Sequence, residues 1–133
     1  MKKTLFILSV LLMVTVSSYA QNQERLSVHY FDIPQNLESD FLKFNSEMNR
    51  LIENAGYGKD FYKIYKVKEA DEATAFRYFQ ISAYTSDKHY EMTHSIGEEY
   101  EKLFNSFWDS DLGKLFSFDD KSHIYRKVYR VEN

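Results

Sequence analysis

Phe61-Tyr62-Lys63-Ile64-Tyr65-Lys66-Val67-Lys68 and Phe76-Arg77-Tyr78-Phe79-Gln80-Ile81-Ser82-Ala83-Tyr84, separated by the polar run Glu69-Ala70-Asp71-Glu72-Ala73-Thr74, form the stretch on which the fold turns. Aromatic and β-branched residues dominate both arms, which suits a pleated, packed surface, and a short polar connector between two such runs predicts a hairpin. The rest of the chain flanks this pair almost symmetrically. A strand and a helix precede it; a helix and a strand follow.

Upstream, Leu26-Ser27-Val28-His29-Tyr30-Phe31-Asp32-Ile33 places Leu26, Val28 and Tyr30 on one side and His29, Phe31 and Ile33 on the other. Large apolar groups on both sides predict a strand covered on both faces. Pro34, the only proline, ends it. Asn36 is placed to cap a helix in which Leu37, Phe41, Phe44, Met48, Leu51, Ile52 and Ala55 recur at spacings of three and four, until Gly56-Tyr57-Gly58 stops it. Downstream, Thr85-Ser86-Asp87 opens a helical segment in two pieces. The break falls near His94, because Ser95-Ile96-Gly97-Glu98 reads as a capping box and Gly97 in mid-helix would cost about 1 kcal/mol. Ile96, Tyr100, Leu103, Phe104, Phe107 and Trp108 then make one aromatic stripe, followed by a short helical turn within Leu112–Phe118 and a last strand, His123–Val131.

This β-α-β-β-α-β order predicts an α+β, ferredoxin-like fold: a four-stranded antiparallel sheet of order 4-1-3-2 with two helices on one face. Charge placement agrees, since Lys63, Lys66 and Lys68 fall on strand two and Arg126, Lys127 and Arg130 on strand four, and edge strands use such charges against unwanted pairing. Tyr65, Phe76, Tyr78, Tyr84, Tyr125 and Tyr129 are expected on the face away from the helices. That face is either a half-exposed tyrosine surface or, the reading favoured here, one covered by a second copy of the chain. In element order, length and sheet patterning, Leu26–Val131 resembles the dimeric α/β-barrel superfamily, which includes antibiotic-biosynthesis-type monooxygenases, EthD-like proteins and haem-degrading monooxygenases. The resemblance implies a homodimer with sheets face to face, and in each protomer a pocket between helices and sheet for an aromatic or haem-like ligand. One fold hosts many activities, so it implies no particular chemistry.

With 133 residues, 44% hydrophobic and 17% aromatic, the chain is sized for one compact domain. Residues 1–20 are set apart from it: a positive start at Lys2 and Lys3, an apolar run to Val16 and small residues up to Ala20 read as a secretory signal peptide. The domain is then 21–133, periplasmic or secreted, with no membrane anchor once the leader is removed. Losing Lys2 and Lys3 takes the formal charge from −3 to −5, which gives no basic footprint for nucleic acid. Cysteine is absent, which excludes thiol nucleophiles, iron–sulfur clusters and disulfides. No glycine-rich phosphate loop is present either.

Chemistry-bearing candidates are few. Glu91-Met92-Thr93-His94 has the Glu-x-x-His spacing of di-iron bundles, but those sites need it twice with further carboxylates, so no metal is expected. His94 is open to two roles, a solvated cap or a neutral pocket imidazole whose charge is disfavoured near a helix start. His29, on a central strand, is either a hydrogen-bonded core residue or a second pocket imidazole. His89 and His123, near element ends, are expected to be exposed. Phe41 and Phe44 on the first helix, with Phe104 and Trp108 on the second, serve as core or as the wall of a pocket for a planar ligand, and Tyr90 is placed to donate a hydrogen bond into it. No cofactor is called for by these residues; haem enters only through the resemblance. The functional expectation is an exported domain binding a small apolar or aromatic ligand between the second helix and the sheet. The alternative is a cofactor-independent or haem-dependent, monooxygenase-like oxidoreductase using His94 or His29 with Trp108.

Overall fold

Residues 24–68, 75–116 and 122–131 are described by the structure, a computed structural model; the expected leader at 1–20 and the hairpin connector at 69–74 lie outside the described residues. Along the chain run β1 (Arg25–Phe31), a 3-10 turn (Gln35–Leu37), α1 (Glu38–Asn54), β2 (Lys63–Lys66), β3 (Tyr78–Tyr84), α2 (Asp87–Thr93), α3 (Glu98–Asp109), α4 (Asp111–Leu115) and β4 (His123–Tyr129). The strands form one open antiparallel sheet in the order β2-β3-β1-β4, which counted from the other edge is 4-1-3-2. The lysine- and arginine-bearing strands β2 and β4 are therefore the edges. Register places His29 opposite Gln80 and Tyr125, and Val28 opposite Ile81 and Arg126.

The helix count differs from the two expected. A 3-10 turn leads into α1, and the second helical region is three pieces, α2, α3 and α4. Asn36 lies inside that 3-10 turn and caps nothing; α1 starts from Leu37 without a side-chain cap. Nor does Ser95 begin α3. The helix opens three residues later, from Gly97 at φ 122°, a conformation that glycine adopts without the Cβ clash other residues meet. By contrast, Ser86 and Ser110 do cap, accepting from the amides of His89 and Gly113 at the starts of α2 and α4.

The helices cover the sheet face that carries Phe31 and Tyr78. One core cluster joins these to Ile33, Phe41, Phe107, Leu112 and Phe116, and a second unites Met48, Leu51 and Ile52 of α1 with Tyr62 and Tyr100. Between the clusters α1 is seated by hydrogen bonds. Asn45 and Asn49 both donate to the Tyr62 carbonyl, Asn49 Oδ1 accepts from the Tyr62 amide, and Asn45 Oδ1 accepts from Gln80 on β3. Asn45 is buried, and without these partners its amide would be costly there. At the hairpin base, both carboxylate oxygens of Asp32 accept from the amides of Phe76 and Arg77 at 2.8 Å, which fixes the entry to β3 although Phe76 sits at φ 54°.

Tyr78, Tyr84 and Tyr125 are not on the open face, as expected from the sequence, but on the helix-covered one. Tyr78 and Tyr84 are buried there. Strand alternation puts Tyr129 on the same side as Tyr125, and Phe76 precedes β3 altogether. What alternation turns away from the helices is Leu26, Val28 and Tyr30 of β1, Phe79 and Ile81 of β3, Ile124 and Val128 of β4, and Tyr65 of β2.

Candidate functional site

The covered sheet face and the helices do not close completely. They leave a cavity of about 250 Å³. His29 from β1, Phe41 and Phe44 from α1, Tyr90 from α2, His94 just after it, and Phe104 and Trp108 from α3 all line this space, so every candidate of the sequence reading reaches one site. Phe44 stacks on Phe107 at 4.3 Å between ring centres, and Trp108 meets Phe104 and Phe107 edge-on. Aromatic pairs in such geometry make a stiff, mostly apolar wall.

Three imidazoles border the cavity. His29 Nδ1 and His123 Nε2 lie 2.8 Å apart, so a single proton lies between the rings and they cannot both be charged without opposing two N–H groups. His123 was expected to be exposed; it is 6% exposed. The cause is register. His123 opens β4 opposite Phe31, one step diagonal to His29 on the same face, beneath Phe116. Burial first, then the neighbouring His123 and His94, lowers the His29 pKa to about 4. Burial likewise lowers that of His123.

His94 closes α2 rather than standing near a helix start, so the dipole argument for its neutrality is reversed in sign. Burial is what lowers its pKa, against the hydrogen bond to Tyr90 and with a further contribution from the field of Arg25. Its Nδ1 lies 2.8 Å from the Tyr90 carbonyl, and a carbonyl only accepts, so the proton of the neutral ring is on Nδ1. Nε2 therefore holds a lone pair, and no described residue donates to it. The ring is held flat against Tyr90 at 4.1 Å.

Around these rings the hydroxyls pair with one another: Ser27 with Tyr125, Ser82 with Tyr84, and Tyr62 with Tyr100. Burial, the foremost cause in each case, raises the pKa of Tyr62, Tyr84 and Tyr100, so these phenols stay protonated at neutral pH. Among the described residues no Asp, Glu, Lys or Arg lines the cavity. Arg25 stands just outside, 5% exposed, its guanidinium 3.8 Å above the Tyr90 ring, donating to Asp87 at 2.8 Å and to the Tyr125 hydroxyl at 3.0 Å. Arg25 is not among the residues singled out from the sequence, and Tyr84 is expected there on the opposite sheet face. Alternation along β1 and β3 from His29 and Tyr78 would have placed both on this face.

Among the described residues no group of three or more His, Asp or Glu is arranged to hold a metal ion. Haem is a poor match to the residues present. His94 Nε2 is a suitable ligand type, but the space falls below the roughly 300–1,000 Å³ of pockets for drug-sized ligands, and among the described residues no Lys or Arg in the wall would meet two propionates. Among the described residues no helix is long and apolar enough to cross a membrane. No protein-family model matches the chain, and no curated protein matches it in sequence. The structure thus defines an α+β protein with a four-stranded antiparallel sheet, helices on one face and an aromatic cavity between them.

Proposed function

We propose that this is an exported binding protein for a small, uncharged ring compound held between the helices and the sheet. The observation that carries the reading is a wall without formal charge among the described residues: no Asp, Glu, Lys or Arg of theirs lines it, and burial keeps its imidazoles neutral. A charged ligand would lose its hydration there without a counter-ion. Size points to two fused rings, since a cavity of about 150 Å³ accommodates one benzene and this one is about 250 Å³. Calorimetric titration of the purified domain with naphthalene is expected to give saturable 1:1 binding. Absence of a saturable signal up to the solubility limit would remove the reading. Oxygen uptake on adding a hydroxylated ligand would move the protein to the oxidoreductase alternative; a ligand recovered unchanged keeps it a binder.

The second part of the reading concerns assembly. Leu26, Val28, Tyr30, Phe79, Ile81, Ile124 and Val128 form a contiguous apolar surface on the open side of the sheet. A second copy of the chain, presenting the same surface across a two-fold axis, would cover it.

A further inference from the structure

Resting on the binding reading above, we propose that the ligand carries a ring hydroxyl that donates to His94 Nε2, so that the site selects uncharged phenols and ring alcohols over the bare hydrocarbon, the carboxylate and the amine.

The argument starts from the tautomer. The Tyr90 carbonyl and the Thr93 hydroxyl, itself donating to that carbonyl, hold the Nδ1 proton of His94 and leave Nε2 an acceptor. A half-turn of the ring would keep it stacked on Tyr90 but put Cδ2–H in place of Nδ1–H, losing the contacts to the Tyr90 carbonyl and the Thr93 hydroxyl. Three hydroxyl pairs in the wall, Ser27–Tyr125, Tyr62–Tyr100 and Ser82–Tyr84, satisfy one another, whereas the His94 Nε2 lone pair, like the Tyr90 hydroxyl, has no partner among the described residues. A hydrocarbon that displaces water from Nε2 leaves a desolvated acceptor behind; a hydroxyl restores the bond. Carboxylates have only lone pairs to set against another lone pair, with no Lys or Arg among the described residues of the wall. Protonated amines could donate, but the field of Arg25, which already disfavours charge on His94, would oppose them. His29 does not share this role, because its Nδ1 is engaged with His123 and its free nitrogen can carry either a proton or a lone pair.

The test compares naphthalene, 2-naphthol and 2-naphthoate by calorimetry at neutral pH, where 2-naphthol is uncharged. Expected is 2-naphthol binding at least about tenfold more tightly than naphthalene, with 2-naphthoate undetected. In His94→Phe, which removes the acceptor but keeps a flat ring, the preference for 2-naphthol over naphthalene is expected to fall to about twofold or less. Because that variant could misfold, a second readout uses the wild-type chain: the ¹⁵N resonance of His94 Nε2 should move upfield on adding 2-naphthol, whose hydroxyl donates to it, and downfield on adding naphthalene, which takes its water away. Equal affinities, a preference that survives His94→Phe, or an Nε2 resonance that does not move upfield with 2-naphthol would each overturn the proposal while leaving the cavity a binding site. If no compound binds, the binding reading fails first and takes this proposal with it.

Discussion

At the scale of single residues, the three cavity imidazoles make stability depend on pH in a definite direction. An unfolded histidine takes up its proton near pH 6.5, whereas His29 in the fold does so only near pH 4. Between those values the unfolded chain binds more protons, so stability is full above the unfolded pKa and is lost as pH falls through this window. The span corresponds to about 3 kcal/mol from His29 alone, with His94 and His123 shifted in the same direction. Carboxylates contribute at lower pH, since Lys127 and Arg25 hold Asp87 below its usual range. Urea midpoints measured from pH 7 to 4 should fall steeply, and His29→Phe should flatten the slope; an unchanged midpoint across the window would contradict the buried neutral ring. His29 and His94 were legible as candidates because histidine stands out in an apolar pattern. His123 was not, because its burial depends on a strand pairing 94 positions away in sequence.

At the scale of elements, α4 packs its Gly113 closely on the C-terminal turn of α3. Gly113 sits so near Phe107 that a Cβ there would overlap its carbonyl oxygen and lie 2.7 Å from Trp108 Cα. Backbone cannot yield as a flexible side chain does, so Gly113→Ala is expected to cost on the order of 2–4 kcal/mol and to displace Trp108 from the cavity wall. Thermal unfolding together with Trp108 fluorescence measures both; an unchanged midpoint would show that α4 moves aside freely. The helical stripes were readable from spacing alone, as Phe41, Met48, Leu51, Ile52, Tyr100 and Phe107 are all buried. Helix starts were less readable. Ser95 had the right type and spacing for a cap, but the chain between α2 and α3 turns at Gly97 instead, and the local pattern carries no record of where α2 must stop to seat His94.

At the scale of the whole molecule, strand order followed from connection rules that leave few choices, and edge charges supported it. Assigning tyrosines to faces failed because both faces carry aromatic residues, and a shift of one position exchanges them. The open face, taken as three strands of seven residues and one of four at about 4.8 Å spacing and about 3.4 Å rise, covers roughly 400 Å². Stable interfaces bury about 800 Å² per partner, so the proposed dimer should be weak and concentration-dependent. Sedimentation should show mass rising toward twice that of the chain at high concentration, and Ile81→Glu, placed beside Lys63, should hold it at one chain. A single-chain mass for the unaltered protein throughout would exclude this assembly. Asn45 gives the fold one more property. An oily helix lying on an oily layer could slip by a turn at small cost, yet this amide meets both Tyr62 and Gln80 in only one seat. It acts as a key in a keyway, and the shape of the hollow above it is inherited from that single alignment.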